Sequence, residues 1–353
     1  MSFFTMFIIV FSLINFYPLY RIFKFFELKR NLIFYLVFFI LTFSYMWASG
    51  LKGKYDNFFT QGLYVFAATW MGVIFITCCI TLVVDLSGLF FKIKPILKGK
   101  IIIGAVIVLT VYSLINAMFI RIKEIEIKSP KINKNINFVL LSDIHFGSIH
   151  RGDYLQRIVD KVNTLKPDFV VIIGDLLDGH RDYMKEDFLP LNDIKGDVFF
   201  TTGNHDHFGR KQPIEILFEK TKMKVLNNES AQFDGVDILG IDYSRNKTQV
   251  EEVLPTMKIN NDKFSILMYH TPDGYKFAAD SGIDLMLAGH THSGQIFPFN
   301  FVVAMFHRPV RGLHEYNDNE KYLYVTPGTG TWGPPMRLGS NNEITLIKLI
   351  PEK

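Results

Sequence analysis

Four long apolar runs occupy the first third of the chain, at about residues 2–20, 31–50, 62–84 and 101–120. Each approaches the ~20 apolar residues that a membrane-crossing helix needs, and none contains an internal Lys or Arg. They also lack the polar stripe of a helix that packs on a soluble core. The pattern therefore predicts a membrane domain of four transmembrane helices over residues 1–120.

After residue 120 the pattern changes to short β-rich runs that alternate with amphipathic stretches. Residues 121–136 are charged and are interpreted as a strand-like linker, followed by one large α/β domain over residues 137–353. Such alternation is typical of layered α/β folds. The predicted strands are 137–141, 169–173, 198–201, 236–240, 264–268, 285–287, 322–325 and 344–349, and the predicted helices are 153–165, 213–221, 248–257 and 273–281.

The charge distribution separates the same two parts. Residues 1–120 hold ten Lys or Arg and three Asp or Glu, a net charge of +7. The remainder holds 28 Lys or Arg and 31 Asp or Glu, a net charge of −3, together with all ten His. With 49% hydrophobic and 20% charged residues, the chain is neither disordered nor globally basic, so no nucleic-acid partner is expected. The adjacent Cys78 and Cys79 cannot form a disulfide framework.

Basic loops predict the orientation of the membrane domain. Loops 21–30 and 92–100 share one side and carry eight Lys or Arg, against seven on the other side. The tally is nearly equal, but the first hairpin usually dominates. We therefore expect a multi-pass cell-membrane protein with its termini and its α/β domain outside the cytoplasm. Asp85, the only acidic residue near the interior of a run, is expected at the interface, just beyond a span that ends at Val84.

Metal-binding residue types follow five of the predicted strands. In chain order these residues are Asp143 and His145, then Asp175, then Asn204 with His205 and Asp206, then His270, and last His290 and His292. Open α/β sheets place their sites beyond the carboxyl ends of strands. Each motif alone is common, but five in order, built only from Asp, His and Asn, point to one shared site.

The residue types indicate the chemistry of this site. Mixed oxygen and nitrogen ligands suit Mn, Fe, Zn or similar divalent ions rather than soft thiolate sites. The ligands are too many for one ion, and a bridging carboxylate would hold two ions ~3.5–4 Å apart. Such a pair lowers the pKa of a bound water and neutralises charge on phosphate oxygens.

This ordered set resembles the calcineurin-like metallophosphoesterase superfamily, most closely its membrane-attached bacterial branch of YaeI/YkuE-type phosphodiesterases. The resemblance covers about residues 136–350. It implies a four-layer α/β/β/α sandwich, in which two mixed β-sheets pack face to face between helices. It also implies seven metal ligands: Asp143, His145 and His292 for one ion, Asn204, His270 and His290 for the other, and Asp175 as the bridge. His205 would protonate the leaving oxygen or stabilise the phosphoryl group, oriented by Asp206.

Several polar residues have two interpretations. Asp178 and His180 either orient ligands or lie in a solvated loop, and Arg311 and Arg337 are either phosphate contacts or ordinary surface charges. The remaining histidines are expected to be structural or surface residues: His150, His207, His307 and His314.

Residues 296–306 follow the last metal motif and are almost wholly apolar. They form either a core loop and helix or an apolar lip of the site that dips into the bilayer interface. The second alternative suits a lipid-linked phosphodiester or pyrophosphate.

The leading hypothesis is a membrane-anchored, two-metal hydrolase of phosphoester bonds, more specifically a phosphodiesterase with a lipid-linked or membrane-proximal substrate. One alternative is a phosphomonoesterase, and another is a non-catalytic metal-binding sensor or scaffold at the membrane. A transporter with a regulatory domain is disfavoured, because the apolar runs carry no paired charges. The oligomeric state stays open.

Overall fold

The computed structural model describes residues 3–179, 183–207, 212–316 and 320–352. The chain forms two compact units. The helical unit comprises Met1–Met118 and Gly333–Leu338, and the α/β unit comprises Phe119–Trp332 and Gly339–Lys353.

The bounds of the regular elements follow. The helices are α1 (Phe3–Phe25), α2 (Leu32–Lys54), α3 (Phe58–Ser87), α4 (Pro95–Met118), α5 (Gly152–Leu165), α6 (Gln212–Lys220), α7 (Gln249–Val253), α8 (Tyr275–Asp280) and α9 (Phe299–Val303), with 3₁₀ turns at Lys185–Asp193, Leu254–Thr256 and His292–Gly294. The strands are β1 (Ile120–Ser129), β2 (Ile136–Leu141), β3 (Phe169–Ile173), β4 (Asp197–Thr201), β5 (Lys224–Val225), β6 (Glu229–Phe233), β7 (Val236–Gly240), β8 (Phe264–Met268), β9 (Leu285–Ala288), β10 (Gly312–Glu315), β11 (Tyr322–Val325) and β12 (Asn342–Pro351).

Helices α1 to α4 are each long and apolar enough to cross a membrane, as the sequence predicts. Their outward surfaces are apolar: the side chains of Leu13, Val83 and Val108 are 60%, 65% and 65% exposed. A soluble helix would present polar side chains at such positions. This exposed apolar surface indicates membrane association.

Asp85 makes a helix–helix contact inside the helical unit. Helix α3 continues past Val84 to Ser87, so Asp85 lies within the helix. Its carboxylate accepts a hydrogen bond of 2.6 Å from Tyr17 and pairs with Arg21, both on α1. A partnered carboxylate of this kind has a structural role in packing α1 against α3.

Arg337 also belongs to the helical unit. Its backbone nitrogen donates to the carbonyl oxygen of Ser113 at 3.0 Å, and the side-chain amide of Asn116 donates to its carbonyl oxygen at 3.0 Å. Its side chain is fully buried. The interpretation of Arg337 as an ordinary surface charge is therefore wrong, because residues 333–338 pack with the apolar helices.

The α/β unit is the predicted four-layer sandwich. Among the described residues, one mixed sheet has the strand order β1-β12-β2-β3-β4-β5 and the other has the order β10-β11-β9-β8-β7-β6. A shared apolar core lies between the two sheets. Side chains of α5, α6 and the 3₁₀ turn at Lys185–Asp193 cover the outer face of the first sheet, and those of α7 and α8 cover the second.

Strand β2 shows how the sequence specifies these layers. Successive side chains of a strand point to opposite faces. Phe138 and Leu140 therefore enter the core between the sheets, whereas Val139 and Leu141 face the helices. A strand that is buried on both faces needs a continuous apolar run. Each such strand ends at the edge of its sheet, and the metal motifs follow directly after these runs.

All eight predicted strands and all four predicted helices are present, and most bounds shift by no more than two residues. The exception is the predicted helix 248–257: α7 ends at Val253, and a 3₁₀ turn over Leu254–Thr256 follows it. The stretch 121–136, interpreted as a strand-like linker, contains β1, which pairs in parallel with β12. Only Ile125 and Ile127 of its central residues enter the core, and charged side chains alternate with them. Charged residues of this kind are common on edge strands, where they discourage pairing with other chains. The predicted boundaries at 120/121 and 136/137 stay a prediction.

Candidate metal centre

Parallel pairing brings the metal motifs to one end of each sheet. Strands β2, β3 and β4 run parallel in the first sheet, and β8 and β9 run parallel in the second. Backbone hydrogen bonds then hold the strand-end loops together: the nitrogens of Asp143 and His145 donate to the carbonyl oxygens of Gly174 and Asp175 at 3.1 and 3.0 Å. The local pattern of strand, sharp turn and polar side chain thus builds the site.

Asp143, His145 and His292 form the first candidate ligand set, which we call the first ligand set. One potential ligand atom from each lies within 4.8 Å of the others, and all three residues are buried. Nε2 of His292 lies 3.0 Å from Nε2 of His145 and 3.4 Å from Oδ1 of Asp143. Two ring nitrogens and a carboxylate oxygen that converge in this way suit a divalent cation.

Asp175, His270 and His290 form the second candidate ligand set, which we call the second ligand set, again with potential ligand atoms within 4.8 Å of one another. Oδ2 of Asp175 lies 3.3 Å from Nε2 of His270 and 3.7 Å from Nε2 of His145. The same oxygen therefore faces both sets. The other ring nitrogen of His270 lies 2.9 Å from the carbonyl oxygen of Ile173, which fixes the ring with Nε2 pointing into the cluster.

The side chain of Asn204 has the properties expected of a cation ligand. Its Oδ1 atom is buried and makes no hydrogen bond. A buried acceptor without a partner costs roughly 1–3 kcal/mol. A cation beside this oxygen would remove that penalty, and amide oxygens are suitable ligands for hard divalent ions.

Two glycines allow the loops to approach the site closely. A Cβ atom on Gly203 would overlap the carboxylate and backbone nitrogen of Asp175, and one on Gly289 would overlap Ser142 and Asp143. Ser142 was not singled out in the sequence, although its hydroxyl donates to Oδ2 of Asp143 at 2.6 Å. This contact orients the carboxylate towards the cluster.

The electrostatics of the cluster favour bound positive charge. Burial tends to raise the pKa of Asp175, but the adjacent His270 outweighs burial and holds this pKa well below its ordinary value. Burial tends to lower the pKa of His270, yet the charges of Asp175 and Asp143 raise it to about 10. Burial, helped by the neighbouring His270, lowers the pKa of His290 to about 3. His290 is thus neutral near pH 7, as a ligand nitrogen must be.

His205 lies at the edge of the first ligand set. Its ring centroid is 4.8 Å from that of His145, with the rings at 84° to each other. Its Nδ1 atom lies 3.2 Å from the carbonyl oxygen of Asp178, and burial lowers its pKa. The carboxylate of Asp178 also lies near the cluster, with Oδ1 3.7 Å from Nδ1 of His145. His180 lies outside the described residues.

Asp206 is engaged with the backbone of two loops. Oδ1 accepts a hydrogen bond from the nitrogen of Leu177 at 2.9 Å, and Oδ2 accepts one from the nitrogen of Gly203 at 2.8 Å. Burial, together with the charge of Asp175, raises the pKa of Asp206 to about 7. Through these two bonds Asp206 fixes the loop that carries both Asp206 and His205, and it orients His205 only in this indirect way.

The other histidines divide into structural residues and one neighbour of the site. Nε2 of His150 is 2.8 Å from Oγ1 of Thr331, and Nε2 of His314 is 2.8 Å from the carbonyl oxygen of Arg311. His307 instead packs against a predicted ligand, His290. No motif in the sequence indicates this contact, because His307 lies beyond all the metal motifs.

Arg311, the other arginine with two interpretations, lines a cavity of about 600 Å³ together with Lys123, Glu124 and Glu343. Its guanidinium donates to the carbonyl oxygen of Gly339 at 3.3 Å. The cavity lies where the edge strands β1 and β10 approach each other, and none of the predicted metal ligands lines it.

The two β-sheets with a buried Asp/His cluster at their strand ends are the architecture expected of a metallophosphoesterase domain. The sequence profile of the calcineurin-like phosphoesterase family matches residues 136–294, and the chain belongs to this family. Family membership supports metal-dependent hydrolysis of phosphoesters.

Similar proteins occur in bacteria and animals. An uncharacterized metallophosphoesterase of Aquifex aeolicus is 30% identical over 256 residues, which cover 69% of this chain and 97% of the relative. An uncharacterized metallophosphoesterase of Helicobacter pylori is 34% identical over 241 residues, which cover 66% of this chain and 64% of the relative. A Danio rerio protein named transmembrane protein with metallophosphoesterase domain is 35% identical over 268 residues, which cover 69% of this chain and 60% of the relative. The chain thus spans less than two thirds of the length of the Helicobacter and Danio relatives.

Proposed function

We propose that this protein is a membrane-anchored phosphodiesterase that binds two divalent ions. The single observation that carries the proposal is the position of Asp175, whose Oδ2 atom faces His270 of one ligand set and His145 of the other. A carboxylate shared by two such sets would hold two ions close together, as the chemistry of two-metal phosphoester hydrolases needs. The domain division at residues 120 and 136 is part of the same proposal.

The ligand sets are Asp143, His145 and His292 for one ion and Asn204, His270 and His290 for the other, with Asp175 between them. When bound, the ions supply Lewis acidity towards the phosphoryl oxygens and a water of lowered pKa.

The chain contributes the remaining groups. His205 lies beside the first set and is placed to give a proton to the leaving oxygen. Asp178 holds the Nδ1 side of its ring through a backbone carbonyl, so Nε2 is the atom that faces the reaction. Asp206 keeps the loop in position.

The test uses the full chain, purified in detergent, stripped with a chelator and reloaded with Mn²⁺. We expect hydrolysis of bis-p-nitrophenyl phosphate to exceed that of p-nitrophenyl phosphate, and to disappear on chelation. A reversed preference would identify a phosphomonoesterase. Metal uptake without hydrolysis of either ester would identify a metal-binding sensor and contradict the proposal.

We further propose that the substrate is lipid-linked. Residues 296–306, which we call the apolar segment, include α9 and expose large apolar side chains: Phe301, Met305 and Phe306 are 64%, 75% and 65% exposed. The segment starts four residues after His292 and ends directly before His307, which contacts His290. Both of its ends therefore lie at the proposed metal centre. A contiguous exposed apolar surface is a typical mark of a membrane or ligand contact.

Replacing Phe297, Phe299 and Phe301 together by Ser tests this substrate class. We expect a large loss of activity on a phospholipid diester in vesicles and near-normal activity on bis-p-nitrophenyl phosphate. A matched control replaces Met184 and Leu189 by Ser, since these apolar side chains are also exposed on the α/β unit. Retained lipid hydrolysis in the triple variant would contradict the proposal.

The α/β unit is proposed to face the extracytoplasmic side. The basic loops 21–30 and 92–100 support this orientation through the positive-inside rule. Protease added to intact cells is expected to digest the α/β unit. Full protection that is lost only on lysis would place the unit in the cytoplasm.

A further inference from the structure

His307 packs edge-on against the predicted ligand His290. The ring centroids are 5.0 Å apart and the rings are inclined at 85°. On its other side, Nδ1 of His307 lies 3.6 Å from Oδ1 of Asp273, close enough for an electrostatic contact but just beyond hydrogen-bonding distance. The side chains of His307 and Asp273 are 19% and 24% exposed, so the pair is mostly buried but reaches solvent.

The contact repeats the geometry of His205 at the other ligand set. His205 meets His145 at 4.8 Å and 84°, and His307 meets His290 at 5.0 Å and 85°. His145 belongs to the set with Asp143 and His292, whereas His290 belongs to the set with Asp175 and His270. Each ligand set thus has one additional histidine beside it.

The backbone of His307 is fixed by a hydrogen bond to α9. Its backbone nitrogen donates to the carbonyl oxygen of Val303 at 2.9 Å, which extends the hydrogen bonding of α9 to this residue. Asp273 lies three residues after the predicted ligand His270 and therefore comes from the loop that follows β8. The extension of α9 and the loop after β8 therefore bring His307 next to both His290 and Asp273.

We propose that His307 is a second catalytic histidine, which donates a hydrogen bond to a phosphoryl oxygen of the substrate beside His290 and is positioned by Asp273. This inference rests on the proposed phosphoesterase function. The imidazole fixes the phosphoryl group, while His205 serves the leaving oxygen at the first ligand set. Charge-assisted hydrogen bonds to phosphate are among the stronger ones in proteins.

A packing role for His307 has different consequences. If its ring only supported His290, removal would loosen the second ligand set, and metal content would fall together with activity. If the ring contacts substrate, removal weakens the binding of phosphate and leaves both ions in place. The two roles are therefore separated by measurements on binding as well as turnover.

The experiment uses the full chain loaded with Mn²⁺ and the variants His307→Ala, His307→Gln and Asp273→Asn. For His307→Ala we expect kcat/KM on bis-p-nitrophenyl phosphate and the affinity for orthophosphate, measured by calorimetry, to fall roughly 10- to 100-fold. Metal content and melting temperature stay unchanged. His307→Gln restores part of both losses, because its amide also donates a hydrogen bond. Asp273→Asn shows a smaller loss in the same direction.

His314→Ala serves as the matched control, since His314 is exposed and bonds only a backbone carbonyl among the contacts described. Lower metal content in His307→Ala, or unchanged orthophosphate affinity, would overturn the inference. Orthophosphate binding by the metal-loaded protein remains a valid measurement if no ester is hydrolysed. Failure of the proposed function and failure of this inference are thus distinguishable.

Discussion

Nε2 of His145 lies 3.0 Å from Nε2 of His292, although the two residues are 147 positions apart in the chain. Metal–nitrogen bonds of ~2.0–2.1 Å in a tetrahedral site place neighbouring ligand atoms roughly 3.4 Å apart. The distance of 3.4 Å between Nε2 of His292 and Oδ1 of Asp143 meets this spacing. The first ligand set is therefore already close to the geometry that a bound ion requires.

Replacing Asp175 by Asn is expected to lower turnover by roughly 10²-fold or more while the protein still folds. The amide removes the negative charge that both ligand sets share, but it keeps the size of the side chain. Turnover and metal content of the purified variant check this prediction. Asp262→Asn, an exposed carboxylate outside the cluster, is the control and is expected to behave as the unaltered protein. Near-normal turnover in Asp175→Asn would refute the bridging role.

His205→Ala is expected to lower turnover in a way that depends on the leaving group. General acid catalysis contributes ~10²–10⁴-fold when the leaving oxygen needs a proton. A p-nitrophenolate departs without much assistance, so the loss on its esters should be much smaller than the loss on an alkyl diester. Equal losses on both substrates would assign His205 to the phosphoryl group rather than to the leaving oxygen. Metal content should stay unchanged.

A methyl group on Gly203 is expected to disable the site without unfolding the protein. The new Cβ would overlap the carboxylate of Asp175, and displacement of a reacting group by ~1 Å can cost ~10²-fold in rate. Gly152→Ala is the matched control, because open space surrounds that position. Full activity in Gly203→Ala would contradict the prediction, because it would mean that the loop of Gly203 moves aside while the Asp175 carboxylate keeps its position.

The His207–Asp242 pair predicts a pH-dependent contribution to stability. Nε2 of His207 lies 3.2 Å from Oδ1 of Asp242, and this hydrogen bond raises the pKa of His207. Burial tends to raise the pKa of Asp242, but the hydrogen bonds from His207 and Thr202 outweigh it and lower this pKa. The histidine's contribution is lost as pH rises through its raised pKa. The carboxylate's contribution is lost as pH falls through its lowered pKa.

The pair should therefore stabilise the fold most between about pH 4 and 6.5. Asp242→Asn is expected to lower the melting temperature more at pH 6 than at pH 9. The effect stays below ~1 kcal/mol, since the His207 side chain is 44% exposed. Asp197→Asn is the control, because its partner is Lys224 rather than a histidine. A loss that is the same at both pH values would contradict the assignment.

Parts of the fold and of the site were predictable because they depend on local pattern. Strand β2 is an uninterrupted apolar run that leads into Asp143 and His145, so both the strand and the metal motif could be read from adjacent residues. Strand β1 has charged residues at five of its ten positions, so the local pattern indicates only a strand-like linker. Its pairing with β12 joins residues more than 200 positions apart, which no local pattern records.

Other features depend on contacts that no local pattern records. The burial of Arg337 follows from packing with α4, which a charged residue in a turn-rich stretch does not indicate. The contact of His307 with Asp273 joins two segments that show no shared spacing. The backbone bonds of Asp206 required the loops to be placed before its partners were visible.

Asp284 is expected to be important for stability and unimportant for turnover. Its carboxylate is 5% exposed and accepts from Lys131 at 2.9 Å, from Lys321 at 2.6 Å and from the backbone nitrogen of Ser265 at 2.8 Å. Removing one partner of a buried ionic group costs ~3–5 kcal/mol, and Asp284→Ala should lie near the lower end, because the two lysines remain 25% and 21% exposed.

Asp284 immediately precedes β9, whereas His290 follows the other end of that strand. The folded fraction of Asp284→Ala should therefore retain its turnover on bis-p-nitrophenyl phosphate. Its melting temperature should fall by roughly 2–4 °C for each kcal/mol lost. Asp234→Ala, which removes an exposed pair with Lys134, should leave the melting temperature nearly unchanged. Equal shifts in the two variants would show that the buried lysine contacts do not stabilise the sheet.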